Sequence, residues 1–224
     1  MFSNSELLGM GWAKEGREWN APNISAFIAR FNSVSNWVQR IILLGETPAT
    51  RRNLIKKFIR IASACYQIKN FNTLFEIACS LTMAPVYRLK KTWKLLSKKD
   101  KEVLNKLLSF VSSSDNQRAY REELNKIAPP CLPYLGVHLK DLVFAEEGNP
   151  NQQEGPKGEV LVNFNKRVLQ VQVLRKIKIF QSVPFCFINL QYLQDYLEHS
   201  LKAVSSDEEL YQLSLEREPR ESQN

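Results

Sequence analysis

The 224-residue chain has 44% hydrophobic and 10% aromatic residues, with 8 Gly and 10 Pro, which excludes a largely disordered or fibrous protein. A chain of this length can bury about 70% of its unfolded surface, so we expect a substantial core. The formal net charge of +8 at pH 7 suits a nucleic acid, an anionic membrane surface or an acidic protein face as partner.

The chain has four cysteines and two histidines, and none lies at the spacing of a zinc site: Cys65, Cys79, Cys131, Cys186, His138 and His199. We therefore expect no metal and no cofactor. Without a signal peptide, the thiols are typical of reduced, mostly buried side chains in an intracellular protein. No run approaches the ~18 consecutive apolar residues of a membrane span, so we expect a cytoplasmic protein.

Two amphipathic helices are predicted in the first third of the chain. One begins near Pro22 and Asn23, and its apolar residues recur at helical spacing: Ile24, Phe27, Ile28, Phe31, Val34 and Val38. The second follows Thr47 as the capping residue and Pro48 at the first helical position. On this second helix, Arg51, Lys56, Lys57 and Arg60 take the polar side.

The middle of the chain continues the helical pattern. Residues 71–81 are apolar on more than one face, which indicates a central core helix. The pattern breaks at Pro85, resumes at 86–89, and opens a further helix at 98–100 that ends in the polar turn 112–116. A short helix is predicted at 120–127, because the prolines at 129 and 130 exclude a helical continuation.

The last third predicts a helix at 137–147, a polar loop at 149–158 and a long helix at 162–181. The long helix has five apolar side chains spaced for burial: Phe164, Val168, Val171, Leu174 and Ile177. From residue 205 the chain is rich in Glu, Ser and Arg, and we expect a fraying helix and a tail. Strand-like alternation is scarce, so the sequence predicts a single all-α domain.

Short basic runs account for much of the positive charge: Arg51-Arg52, Lys56-Lys57, Lys90-Lys91 and Lys98-Lys99. Each run lies inside a helical pattern. We interpret them as solvated helix faces, because charged side chains are mostly exposed.

Eight sequence blocks, in order, resemble the catalytic domain of Ras-family guanine-nucleotide exchange factors (RasGEF), such as son of sevenless. They are ELLG at 6–9 with Trp12, APNI at 21–24, RFN at 30–32 with SNWV at 35–38, KNFN at 69–72, PVYRLKKTW at 85–93, PPCLPYLG at 129–136, EEGNP at 146–150 and VNFNKR at 162–167. Members of this family open with further helices before the first block, so the resemblance implies a domain that is short at its N-terminus.

The resemblance implies an all-α, irregular helical bundle with a protruding helical hairpin. It assigns residues 1–204 to the catalytic domain and 205–224 to a C-terminal extension or tail. The implied function is release of GDP from a Ras-family small GTPase, without covalent chemistry, by insertion of the hairpin into the nucleotide site. The entering arm would be 139–147 and the returning arm 162–181.

Two catalytic residues are implied by the family pattern. Val143 matches the position whose apolar side chain enters the magnesium site of the GTPase, where many members have a longer residue. Glu147 matches the acidic residue that enters near the α-phosphate site and accepts hydrogen bonds from groups that the phosphate releases. From the residues alone, half-buried packing for Val143 and a solvated carboxylate for Glu147 are the alternatives.

Further GTPase-binding positions are implied at Arg30, Thr82, Tyr134, Lys140 and Asn149. Tyr134 matches an aromatic residue at the hairpin base, with core packing as the alternative. Thr82 stands where relatives often have Asn. Asn149 is expected to shape the hairpin turn with Pro150.

Two other functions stay open at this level. The chain can be a RasGEF-like interaction module that binds a small GTPase without efficient exchange, because a Val at position 143 reaches less far. A nucleic-acid-binding helical domain is suggested only by the charge. For an exchange factor we expect no nucleic acid as partner, and action near membranes, where the lipidated GTPase resides.

Overall fold

The computed structural model describes residues 1–220, and the last four residues of the predicted extension, 221–224, lie outside the described residues. Over the described range it contains thirteen α-helices: α1 Asn4–Leu7, α2 Arg17–Asn20, α3 Pro22–Leu44, α4 Pro48–Gln67, α5 Phe71–Thr82, α6 Ala84–Tyr87, α7 Lys90–Lys94, α8 Lys98–Val111, α9 Arg118–Leu124, α10 Leu135–Glu147, α11 Phe164–Phe180, α12 Gln191–Lys202 and α13 Asp207–Arg217. Two 3₁₀ helices, Leu8–Ala13 and Ser114–Asn116, and two short strands, β1 Gln152–Glu154 and β2 Val160–Val162, complete this part of the chain. The prediction of an all-α fold is confirmed.

The backbone divides into two compact units. The first comprises Met1–Ala29 and Ala128–Phe185, and the second comprises Arg30–Ile127 and the described residues from Cys186 to 220. The boundary after Ala29 falls within α3. Between residues 1 and 220 no helix has both the length and the apolar character needed to cross a membrane.

In the second unit, α4, α5 and α8 begin where the sequence predicts, whereas α9 begins two residues earlier than predicted and α12 was not predicted. The Thr47 hydroxyl accepts a hydrogen bond from the Thr50 amide at 3.1 Å, and Pro48 starts α4. Ser97 caps α8 in the same way through the amide of Asp100. Side-chain oxygens at these positions satisfy amides that have no partner within the helix.

The predicted central helix α5 is buried along most of its length, including Phe71, Leu74, Phe75 and Leu81. Aromatic rings surround it at edge or tilted angles, with the Phe75 and Tyr120 centroids 5.2 Å apart and those of Phe71 and Phe110 5.3 Å apart. Rings at these distances attract one another beyond their burial. This cluster forms the core of the second unit.

Arg51 corrects the interpretation of the basic runs. Lys56, Lys57 and Arg60 are exposed as predicted, but the side chain of Arg51 is fully buried and pairs with Glu218. The sequence pattern does not reveal this pair, because the partner of Arg51 lies 167 residues further along the chain.

The C-terminal segment also differs from the predicted fraying helix. Ser206 and Glu209 form a reciprocal capping box at the start of α13, and Glu218, just after its end, is 5% exposed. Arg88 donates hydrogen bonds to the backbone carbonyls of Ser214 and Glu218, each at 2.7 Å. The capping box closes the start of α13, and the Arg88 contacts hold its end within the second unit.

In the first unit, Glu6 joins α1 to the start of α3. Its carboxylate accepts hydrogen bonds from the Ser3 amide at 3.0 Å and from the Asn23 amide at 2.6 Å. Burial by itself raises the pKa of Glu6, but these hydrogen bonds outweigh it and lower the pKa below its ordinary value. Glu6 therefore holds α1 and α3 together as a carboxylate.

The segment between α10 and α11 contains a small antiparallel hairpin within the predicted polar loop. Gln152 pairs with Val162 and Glu154 with Val160. The turn is closed by a hydrogen bond from the Gly155 amide to the Glu159 carbonyl at 2.8 Å, and Gly158 has a φ of +79°, which glycine adopts readily. Because Val162 belongs to β2, α11 begins two residues later than predicted.

The burial predicted along α11 is wrong for three of its five apolar residues. Leu174 and Ile177 are buried, but Phe164, Val168 and Val171 are exposed. Lys166 and Gln170 are buried in their place. The buried face of α11 therefore includes polar residues, and the spacing of its apolar residues does not reveal this.

Candidate functional site

Helix α10 is anchored by its apolar side in the core of the first unit. Leu135, Leu139 and Leu142 belong to a buried cluster whose other members are Leu7, Trp12, Ala21, Ile24, Leu174 and Ile177. Spacings of three and four place these leucines on one face of the helix. The opposite face is therefore presented outward on a fixed support.

The outward face of α10 is formed by Lys140, Phe144 and Glu147, which are all exposed. The Lys140 Nζ lies 5.5 Å from the centroid of the Phe144 ring, within the range of a cation–π contact. Phe144 is 60% exposed, which is unusual for a ring of this size. We call these three residues the α10 face.

Val143 lies beside the α10 face and is half-buried, packed against the leucine cluster. The predicted catalytic pair is therefore divided between two environments: Glu147 is exposed, while Val143 partly contributes to the core. Their spacing of i, i+3 and i+7 along the sequence predicts that Lys140, Val143 and Glu147 share one helix face. This prediction omits Phe144, whose ring is 60% exposed on the same surface.

The end of α10 is closed by backbone and side-chain hydrogen bonds. The Gly148 amide donates to the Phe144 carbonyl at 3.0 Å, and Asn149 Nδ2 donates to the Ala145 carbonyl at 3.2 Å. Asn163, the capping residue of α11, donates through Nδ2 to the Pro150 carbonyl at 3.0 Å. Asn149 thus shapes the turn of the hairpin, as expected from its place beside Pro150.

Four polar side chains join the last turn of α10 to the start of α11. Lys166 Nζ lies 3.0 Å from Glu146 Oε1 and 2.8 Å from Asn151 Oδ1, and Gln170 Nε2 donates to Glu146 Oε2 at 2.6 Å. We call Glu146, Asn151, Lys166 and Gln170 the clasp. A cavity of about 420 Å³ lies beside it, lined in part by Leu8, Gly9 and Arg167.

Tyr134 directly precedes α10 and is half-buried. Its ring lies over Gly136: a Cβ atom built on this glycine would be 2.5 Å from Tyr134 Cζ and Oη. The ring therefore occupies space that only glycine leaves free, and its position is tied to the first turn of α10.

Arg30 and Thr82 belong to the second unit, where both are exposed. The Thr82 hydroxyl donates to the Cys79 carbonyl at 2.9 Å, within its own helix. Burial raises the pKa of Glu76 on α5 to about 7, against the opposing effects of a hydrogen bond from Thr73 and the positive charge of Arg30. The structure thus groups the other five predicted residues, Tyr134, Lys140, Val143, Glu147 and Asn149, on and around α10.

Comparison with known proteins identifies the family. A family model described as the RasGEF domain matches residues 2–168, about three quarters of the chain. The chain belongs to the RasGEF family. The residues of α10, of the clasp except Gln170, and of the capping network around Glu6 all lie within the matched range.

Full-length relatives agree with this assignment. The chain is 39% identical over 220 residues to Ras-specific guanine nucleotide-releasing factor 2 of Mus musculus, covering 96% of this chain and 18% of the relative. It is 36% identical over 260 residues to Ras guanine nucleotide exchange factor E of Dictyostelium discoideum, covering 97% of this chain and 25% of the relative. The chain thus spans a quarter or less of the length of these relatives.

Sequence reasoning missed Phe144 and the clasp for different reasons. Phe144 was visible as an aromatic residue at i+4 from Lys140, a spacing that places two side chains side by side on a helix. The clasp residues are spread over two helices and a loop. Glu146 and Lys166 carried a signal, as charged residues of the EEGNP and VNFNKR blocks, but nothing in the sequence indicated that they pair.

Proposed function

We propose that this RasGEF-family chain is an exchange factor that promotes release of GDP from a Ras-family small GTPase. The observation that carries the proposal is the α10 face, in which Lys140, Phe144 and Glu147 are exposed on a helix whose other side is fixed in the core. The exposed carboxylate can bind cationic or N–H groups of a partner and the ammonium group anionic ones, and aromatic rings are enriched at protein interfaces.

The mechanism that we propose is insertion of the hairpin α10–α11 into the nucleotide site. A partner that binds the empty GTPase more tightly than the loaded one must weaken nucleotide binding by the same coupling free energy. Each ~1.4 kcal/mol of this coupling changes the nucleotide affinity about tenfold. No covalent chemistry and no cofactor are required.

Within this mechanism, Glu147 is proposed to accept hydrogen bonds from GTPase groups that the α-phosphate releases. Val143 is proposed to bring an apolar side chain toward the magnesium site. Arg30, Thr82, Tyr134, Lys140 and Asn149 are proposed as further GTPase contacts. Among these, Thr82 and Asn149 already donate hydrogen bonds within the chain, so their share of the binding energy is expected to be small.

The experiment is nucleotide release from a panel of Ras, Rap and Ral proteins loaded with fluorescent GDP or GTP. We expect acceleration for at least one GTPase, to a similar extent with both nucleotides, because the magnesium and α-phosphate regions are common to both. Acceleration of only one nucleotide would contradict the mechanism, and no acceleration with any GTPase would contradict the function.

A second candidate function is binding of a small GTPase without efficient exchange. The half-burial of Val143 favours it, because a side chain engaged in its own core has less surface to offer to the magnesium site. The same panel decides between the two when binding to nucleotide-free GTPase is measured in parallel. Tight binding with an unchanged release rate would support the interaction module.

We also propose that the domain works in the cytoplasm at anionic membrane surfaces. Residues 88–106 contain eight basic and two acidic residues, and Lys90, Lys94 and Lys98 are exposed. Helix α8 packs against α4, and the exposed Lys56 and Arg60 of α4 line one cavity with Lys99, which adds them to this surface. Clustered lysines of this kind each contribute ~1 kcal/mol near an anionic leaflet.

Sedimentation with vesicles of phosphatidylcholine, with and without phosphatidylserine, tests the membrane proposal. We expect binding only to the anionic vesicles, and its loss on combining Lys90→Glu, Lys94→Glu and Lys98→Glu. A control with the same change of net charge combines Lys14→Glu, Lys157→Glu and Lys202→Glu. Equal loss in both triple variants would contradict a localised surface, and salt-sensitive binding to DNA instead would favour a nucleic acid as partner.

A further inference from the structure

Lys166 is a buried cation with all of its hydrogen-bonding capacity in use. Its residue is 1% exposed, yet Nζ donates to the Glu146 carbonyl at 2.8 Å, to Glu146 Oε1 at 3.0 Å and to Asn151 Oδ1 at 2.8 Å. An ammonium group has three hydrogens to donate, so each is engaged. A buried charge is tolerated only when it is paired in this way, which makes the geometry of the clasp specific.

The clasp acts on the last turn of α10. The Glu146 carbonyl is one of the terminal carbonyls that have no amide partner within the helix, and a positive charge at this end is also favoured by the helix dipole. Lys166 binds this backbone atom directly. It therefore restrains the backbone of the residue next to Glu147, and not only the side chain of Glu146.

Gln170 restrains the other carboxylate oxygen of Glu146. Gln170 is 3% exposed, and its Nε2 donates to Glu146 Oε2 at 2.6 Å while its Oε1 accepts from Arg167 at 3.0 Å. With Lys166 on Oε1 and Gln170 on Oε2, the carboxylate is held from two successive turns of α11. Rotation of the last turn of α10 would break both contacts.

Apolar packing around the clasp is incomplete, so it cannot replace these hydrogen bonds. The cavity of about 420 Å³ is lined by Glu146, Asn151 and Gln170, so three of the four clasp residues border open space. The buried leucines of α10 lie further from its end, whereas the buried apolar residue of its last turn is the small Ala145, and polar contacts supply the remaining restraint there.

We propose that Lys166 and Gln170 are positioning residues for exchange, which hold the last turn of α10 so that Glu147 points toward the GTPase. This inference rests on the proposed function. Neither residue needs to touch the GTPase. Their effect on the maximal release rate passes through Glu147.

The test uses Lys166→Met and Gln170→Leu, which keep approximate size and remove the polar contacts. Each variant is made alone and in combination with Glu147→Ala. The maximal rate of nucleotide release is then measured with a saturating concentration of the domain, on the GTPase of the panel that responds most strongly. We expect each clasp variant to lower the maximal rate about tenfold, and to lower it little further when Glu147 is already Ala, because effects that pass through one residue are not additive. Lys202→Met, the same change at an exposed position outside the hairpin, is the matched control and should keep the parent rate.

Hydrogen exchange of the amides at 144–148 is measured on the same proteins without GTPase. We expect faster exchange in the clasp variants and parent-like exchange in Lys202→Met. If Lys166→Met does not fold, Gln170→Leu decides, because it leaves the buried charge paired with Glu146 and Asn151. A folded clasp variant with the parent rate, or rate losses that add fully to that of Glu147→Ala, would overturn the inference alone. A parent domain inactive on every GTPase would overturn the proposed function, and this inference with it.

Discussion

Arg51 and Glu218 form an ion pair in which Nη2 and Oε1 are 3.2 Å apart and both side chains are almost completely removed from solvent. Glu218 also accepts hydrogen bonds from the amides of Lys91 at 2.8 Å and Thr92 at 3.0 Å, at the start of α7. One carboxylate thus joins α4, α7 and the residue that follows α13. A helix N-terminus binds a carboxylate well because its first amides have no partner within the helix.

Replacing Glu218 with Ala is expected to destabilise the domain by ~3–5 kcal/mol, because it leaves Arg51 buried without its counter-charge. The measurement is urea unfolding followed by circular dichroism. Glu216→Ala, two residues earlier at an exposed position, is the control and should change the free energy of unfolding by less than ~0.5 kcal/mol. Similar values for the two variants would show that the buried pair is not formed in solution.

The same network predicts a loss of stability in acid. Burial alone raises the pKa of Glu218, but hydrogen bonds from Thr92 and Lys91 and the contact with Arg51 lower it below 4.5 overall. Because the folded pKa is the lower one, the contribution is present above the unfolded value and is lost as the pH falls through the folded value. The Glu218→Gln variant should therefore lose less stability than the parent as the pH falls below neutrality. An equal loss in both proteins would contradict the lowered pKa of Glu218.

For Glu76 we expect the opposite dependence of stability on pH, near neutrality. Burial on α5 raises its pKa from 4.5 to about 7, so the folded state binds a proton more tightly than the unfolded state. Its contribution is fully present below about pH 4.5 and is lost as the pH rises to about 7. Between pH 5 and 8, we expect the Glu76→Gln variant to lose less stability than the parent as the pH rises, measured by thermal unfolding. If the stability of both proteins falls in parallel over this pH range, the raised pKa of Glu76 is wrong.

Glu147→Ala should slow nucleotide release more than it weakens binding to the nucleotide-free GTPase. Loss of a hydrogen bond to a charged group costs ~1.5–3 kcal/mol, which corresponds to a tenfold or greater fall in rate. Stability should be unchanged, because Glu147 is exposed. Release kinetics and binding are measured side by side with Glu216→Ala as control. A folded Glu147→Ala domain with the parent rate would remove Glu147 from the mechanism.

Gly136→Ala tests Tyr134 without altering the tyrosine itself. The new methyl group would lie 2.5 Å from Tyr134 Cζ and Oη, so the ring must move away. If Tyr134 contacts the GTPase, Gly136→Ala and Tyr134→Ala should weaken binding to a similar extent. Parent-like affinity in both variants would mean that the ring serves only to pack against the start of α10.

The sequence by itself determined the all-α class, the family and the starts of helices α3, α4, α5 and α8. Caps such as Thr47 with Pro48, and Ser97 before α8, act within one turn, so the information is local. The apolar stripes of α3 and α5 likewise depend only on neighbours at helical spacing. The grouping of Lys140 and Glu147 on one face of α10 follows from the same periodicity.

Tertiary structure alone decided which charges are buried. Arg51 and Lys166 resemble their exposed neighbours in every local respect, but each meets acceptors brought from distant parts of the chain, at Glu218 and at Glu146 with Asn151. The orientation of α11 follows the same rule, since pairing Lys166 and Gln170 inward leaves Phe164 and Val168 exposed. Burial of a charge depends on a partner in space, and no local spacing encodes where that partner lies.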